Sequence, residues 1–435
     1  MSIEEKRKLR FVQSIIKRAI LEFDQLHDIL FTLPGMEYFC HILESVFVNN
    51  KPEDVLAGKG KINPVIGVYC MVVPEELIYA AGAIPIRLCS GYFEAARLGE
   101  DMIPRDGCPL IKSSMGFSMQ KGISVFDLCD VVIIPTTCDA KRKFGEELSE
   151  FKEVWMLETP HGKDTQSSRT AWVDQVYALK NKLEAFMGEK GIKIKINRKN
   201  LGKAIQDHAL AQREIRRLLD FRKRSIPVIW GIQAAIVMNS FAYAPVSDWT
   251  RALVKLNNNL DENLNKGNNI CSKNRPRIFI IGSPIIFPNL KIPLLIEEMG
   301  GIAVLDESCT GDRYLYNPVN NSEKTIRNQI ESIAARYLAP CVCPSFSPNH
   351  DRLTLIKRMV SEFNVDGVLY HVLKGCVVYD FEVRRVEKSL AKEKIPMLRV
   401  ETDYNPEDIE QIRTRIEAFM EILKTKKTKK VLEHS

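Results

Sequence analysis

The chain has 435 residues, 45% of them hydrophobic and 27% charged, with a formal net charge of +7. This composition suits two or three packed domains. It holds no apolar run near the roughly 20 residues that cross a membrane, no basic face interleaved with aromatics for nucleic acid, and no apolar stretch behind MSIEEKRKLRF for secretion. A cytoplasmic protein is therefore expected, with neither nucleic acid nor membrane as partner.

Apolar residues at helical spacing predict a helical segment from Glu4 to Asn49, followed by a Lys/Gly/Pro linker over 50–62. Alternation then begins, with strands at Pro64–Cys70, Ile84–Cys89, Leu128–Pro135 and Val154–Leu157 and helices between them, the first over Glu75–Ala81. Residues 168–245 read as helical, and 257–276, rich in Asn and Lys, as a polar linker. The alternation returns with strands Arg277–Ile281, Ile302–Leu305, Gly367–Tyr370 and Met397–Val400. Helices are expected at Leu290–Met299, Glu323–Tyr337, Arg352–Phe363 and Pro406–Leu423. Strands that alternate with helices indicate parallel sheets. The expected fold is α/β, with two Rossmann-like doubly wound domains, at 61–190 and 271–425. A helical N-terminal segment (1–60), a helical bridge and linker (191–270) and a basic tail (426–435) complete it.

Eleven cysteines are an odd number, and disulfides do not suit a reducing compartment. Their spacing repeats. Cys70 and Cys138 stand 68 positions apart, Cys309 and Cys376 stand 67 apart, and each interval holds one Cys-Pro pair, Cys108-Pro109 or Cys343-Pro344. Several follow strand-like runs, and the carboxyl ends of parallel strands are where ligands bind. Three thiolates leave one iron of a cubane open. Zinc more often takes a C-x-x-C pair or Cys/His sets, and no C-x-x-C occurs. Free cysteine also serves as a small core hydrophobe. Cys40, Cys89, Cys129 and Cys271 are read that way, while Cys341 remains open beside Cys343.

Several stretches together resemble the 2-hydroxyacyl-CoA dehydratase and benzoyl-CoA reductase family. They are Val73–Arg87 (VPEELIYAAGAIPIR), Cys108–Ser114 (CPLIKSS), Ile134–Lys141 (IPTTCDAK) and Asp306–Gly311 (DESCTG). Arg336–Asn349 (RYLAPCVCPSFSPN), Val365–Cys376 (VDGVLYHVLKGC) and Arg413–Phe419 (RTRIEAF) join them, so the resemblance spans about residues 60–425. It implies two Rossmann-like domains flanking an iron–sulfur cluster, and a separate ATP-hydrolysing iron–sulfur activator as electron donor. Cysteines in all six places resemble the double-cubane branch, which implies Cys70, Cys108 and Cys138 on one cubane and Cys309, Cys343 and Cys376 on the other. The family's Pro-Cys pair leaves Cys341, after Pro340, as the alternative to Cys343. A homodimer is also implied.

No Walker-type loop and no strand-linked G-x-G-x-x-G is present, so electrons are expected from the partner. The leading expectation is an ATP-dependent reductase component with a double-cubane cluster of about eight irons, acting on a small unreactive molecule. One alternative is a dehydratase or benzoyl-CoA reductase subunit with a single four-iron cubane, in which one electron enters a thioester. Another is a non-catalytic electron store. Tyr370, His371 and Lys374 are candidate proton donors, against strand-end packing. Lys141, Arg142 and Lys143 are candidates for an anionic substrate or the activator, against a solvated helix face.

Overall fold

The computed structural model describes residues 2–57, 63–267, 270, 274–315, 318–322 and 325–432, and the side chains of 314, 315 and 428–432 are not among those described. Two four-stranded, all-parallel sheets organise the chain. The first contains β1 (Val65–Val68), β2 (Ile84–Arg87), β3 (Cys129–Pro135) and β4 (Val154–Leu157), in the order β2-β1-β3-β4. The second contains β5 (Arg277–Gly282), β6 (Ile302–Asp306), β7 (Gly367–Leu373) and β8 (Met397–Thr402), in the order β6-β5-β7-β8. The two orders are the same, so the internal repeat is one of topology as well as of cysteine count.

Burial on both faces makes six of these strands near-continuous apolar runs, while the edge strands β4 and β8 expose Met156, Arg399 and Glu401. In β5, Ile278 and Ile280 join the large core that runs through the bridging helices and the first sheet. Phe279 and Ile281 point into a second core on the opposite face. That is the period-two alternation of a strand.

The N-terminal segment is made mainly of two helices, Ile3–Leu30 and Glu37–Phe47, with the one-turn helix Glu53–Leu56 after them. The first two part at Pro34-Gly35, where Gly35 has φ +102°. Helices Gln166–Glu189, Arg198–Lys223 and Gly231–Ser240 form most of the bridge.

The expected polar linker at 257–276 is corrected. Helix Val246–Asn265 runs through its first part, buries Leu253, Leu256 and Leu260, and encloses Asn257, whose Nδ2 donates to the Glu214 carbonyl at 2.9 Å. Residues 268, 269 and 271–273, including Cys271, lie outside the described residues, as do 58–62 of the first linker. A further helix, Val377–Lys392, follows β7. Among the described residues no helix is long and apolar enough to cross a membrane.

Candidate metal centre

In a 2-1-3-4 parallel sheet the connections leave the first strand in opposite directions, which opens a crevice beyond the carboxyl ends of the first and third strands. Cys70 lies two residues past β1, and Cys138 precedes helix Asp139–Leu148 just past β3. Cys376 holds the same place past β7, ahead of helix Val377–Lys392. Cys309 follows β6. Cys108 precedes helix Pro109–Met119, and Cys343 lies between helices Ile326–Leu338 and His350–Glu362.

All six of these cysteines line one cavity of about 650 Å³ between the halves. Cys341 does not line it: its side chain is buried in the core and its carbonyl accepts from the Lys163 ammonium at 2.7 Å. Cys40 and Cys129 are buried, and the Cys129 thiol meets the Val125 carbonyl at 3.4 Å.

The spacing pairs Cys70 with Cys309, and the topology corrects this. Cys70 follows the first strand of its sheet, where the second half has Pro284, two residues after β5. Cys309 follows the second strand of its sheet, where the first half has Cys89 after β2. Among the six cavity cysteines, only Cys138 and Cys376 occupy equivalent strand ends, so the similar intervals arise from different turns.

The thiols interact across the two halves. Burial pushes the Cys70 thiol up, but the Lys141 ammonium and the Val72 N–H outweigh this and leave it below its ordinary value. The Cys108 thiol, with help from the Tyr379 N–H, lowers Cys376 to about 7, and Cys108 is raised in exchange. Burial raises Cys138, and raises Cys309 to about 12. Cys70 has φ +78°, a left-handed conformation that a non-glycine residue adopts only at a cost.

Two cations reach these thiols: Lys141, expected as a candidate for an anionic substrate or the activator against a solvated helix face, and Arg313, which the sequence did not single out. Lys141 is held by Thr137 Oγ1 at 3.0 Å and raised by Cys70, Cys138, Cys89 and Cys309, against the opposing effect of burial. It lines the cavity and does not belong to a solvated helix face. Arg142 is exposed and donates to His161 Nε2 at 3.1 Å, while Lys143 is exposed and pairs with Glu146. Arg313 is buried beside Cys309 and Cys343, and its Nη2 donates to the Tyr379 hydroxyl. Among the described residues its Nη1 meets no hydrogen-bond acceptor. Glu307, paired with Arg313, also accepts from Arg352 Nη1 at 2.6 and 2.7 Å.

The suggested proton donors lie elsewhere. Tyr370 donates its hydroxyl to the Tyr379 carbonyl at 2.9 Å. His371 is lowered to about 4 by burial and hydrogen-bonds the Ser283 carbonyl at 3.0 Å, and Lys374 pairs with Asp403. None lines the cavity, whereas Tyr379, one turn beyond Cys376, does.

Among the described residues, no three Cys, His, Asp or Glu side chains converge closely enough to grip a single ion. Six thiols instead stand around a space of several hundred Å³, with buried cations behind them. That donor set fits a polynuclear, anionic, thiolate-ligated group.

Residues 70–423 match the family described as 2-hydroxyglutaryl-CoA dehydratase, D-component. The chain is 32% identical over 369 residues to "Putative dehydratase subunit YjiM" of Escherichia coli, a match that covers 83% of this chain and 91% of that protein. It is 21% identical over 366 residues to the (R)-phenyllactyl-CoA dehydratase beta subunit of Clostridium sporogenes, covering 82% and 91%. To the (R)-2-hydroxyglutaryl-CoA dehydratase subunit beta of Acidaminococcus fermentans it is 22% identical over 392 residues, covering 86% and 97%.

Proposed function

The chain belongs to the 2-hydroxyglutaryl-CoA dehydratase D-component family, and from that membership we propose that it is the iron–sulfur subunit of a 2-hydroxyacyl-CoA dehydratase-type enzyme. The observation that carries this reading is a cavity lined by six thiols, three from each half. Dehydratase subunits among the relatives weigh for it over the reductase expected first from the six-cysteine pattern. Subunits named beta point to a partner subunit in a complex. Electrons come from an ATP-hydrolysing activator.

Cys70, Cys108, Cys138, Cys309, Cys343 and Cys376 are the thiolates available to hold the cluster. When bound, the cluster supplies single electrons at low potential. The chain's own residues set its surroundings. Lys141, anchored on Thr137, holds positive charge against the first set of thiolates, and Arg313 does so for the second. Arg142 and Arg385 line the cavity and suit the anionic groups of a CoA thioester.

The test is turnover under anaerobic conditions, with a partner subunit, activator, ATP and reductant. Loss of water from a 2-hydroxyacyl-CoA to give the enoyl-CoA supports the reading, and its absence with every such substrate counts against it. A second reading, the double-cubane reductase component, is favoured by one observation: six thiols line the cavity where three suffice for one cubane.

A further inference from the structure

The repeat gives Cys89 a place that its sequence context hides. It follows β2 as Cys309 follows β6, at matching strand ends of two sheets with the same order. Unlike Cys40 and Cys129, which are packed in the core, Cys89 borders empty space. With Cys70 and Cys309 it lines a narrow cavity of about 30 Å³. Cys70, Met71 and Cys309 also line the large cavity, so the small one lies directly beside the thiols of the proposed cluster site.

We propose that Cys89 is an alternate thiolate for the iron that Cys70 would hold, so that the first half can keep its cluster in two ligation states. Two further observations support it. The Lys141 ammonium interacts with Cys89 as well as with Cys70, Cys138 and Cys309, so its charge balances a thiolate at either position. The Cys89 backbone is fixed at the cavity wall by the Tyr243 hydroxyl, which donates to its carbonyl at 3.1 Å. The exchange breaks one iron–thiolate bond and forms another, and the proton leaving Cys89 passes to Cys70, so neither oxidant nor reductant is needed.

The inference rests on the cluster reading, and the experiment separates the two. Iron and acid-labile sulfide are measured in anaerobically purified wild type, Cys70→Ser, Cys89→Ser, the double variant and Cys108→Ser, whose neighbouring thiol Cys376 is itself one of the six. Each variant is checked for fold by circular dichroism. Cys70→Gly, which suits the positive φ, replaces Cys70→Ser if the serine variant does not fold. Wild-type iron content is expected in both single variants at 70 and 89, with a changed paramagnetic resonance signal in the former only. The double variant is expected to lose iron as Cys108→Ser does. A Cys70 variant that loses as much iron as the double, or a double that keeps it, overturns the role of Cys89 alone. A wild type without iron overturns the cluster reading and this inference with it.

Discussion

A Cβ on Gly375 would lie 2.2 Å from the carbonyl oxygen of Asp106. This contact presses the turn before Cys376 onto the turn before Cys108, so a glycine in one half sets how closely thiols of the two halves approach. Gly375 also has φ +73°.

Gly375→Ala therefore carries two costs: about 1–2 kcal/mol for a left-handed alanine, and a further 1–3 kcal/mol or so for the forced separation of the loops. Gly191, at φ +75° with nothing within 4 Å of a Cβ, carries only the first. Denaturation midpoints should fall clearly further for Gly375→Ala than for Gly191→Ala, and only the former should lose iron. Equal shifts would show that the close approach does not matter.

Cys343→Ser is expected to lower iron content, while Cys341→Ser leaves it near wild type. Cys343 lines the cavity and Cys341 is enclosed with its carbonyl on Lys163. The Pro344 that follows also restricts the backbone of Cys343 and so fixes its approach. Metal analysis of the two variants decides, and the reverse result would move the ligand to Cys341.

Much of this was legible in sequence. Most strands read as apolar runs because both faces are covered, and cysteine spacing with the Cys-Pro pairs and the family resemblance picked out the six thiols that share the cavity, with Cys341 left open beside Cys343. Helix Val377–Lys392 was missed although Tyr379, Val383, Val386 and Leu390 bury at helical intervals. Asn257 read as linker because an asparagine favours turns, and only its bond to Glu214 explains it in a helix. Cys89, Lys141 and Arg313 could not be ranked, because their relation to the thiols depends on which strand ends meet.

Lys141→Met should shift the midpoint potential of the cluster to more negative values. The reduced form carries one more negative charge, and the buried ammonium stabilises it. Lys141→Arg keeps the charge and should stay near wild type. Anaerobic redox titration followed by paramagnetic resonance checks this, and an unmoved potential in Lys141→Met would leave the lysine a structural role only.

Stability should also fall between pH 4.5 and about 7 through Glu22. Burial raises its carboxyl from 4.5 to about 7, against the pull of Arg18 at 2.9 Å. An acid with a raised folded value contributes stability that is complete below its unfolded value and lost as pH rises through the folded one. The loss is at most about 3 kcal/mol. Glu22→Gln should flatten the pH dependence of the melting temperature across this range, and an unchanged slope would assign it to other groups.

The most direct measurement is iron, acid-labile sulfide and zinc per chain in protein purified without oxygen, followed by the same analysis with all six cavity cysteines changed to serine. Iron and sulfide in matching amounts, about four of each for a single cubane or about eight for a pair, and their disappearance from the sixfold variant, are expected. A wild-type chain with stoichiometric zinc or no iron, or a sixfold variant that keeps its iron, would contradict a cluster held between the two sheets.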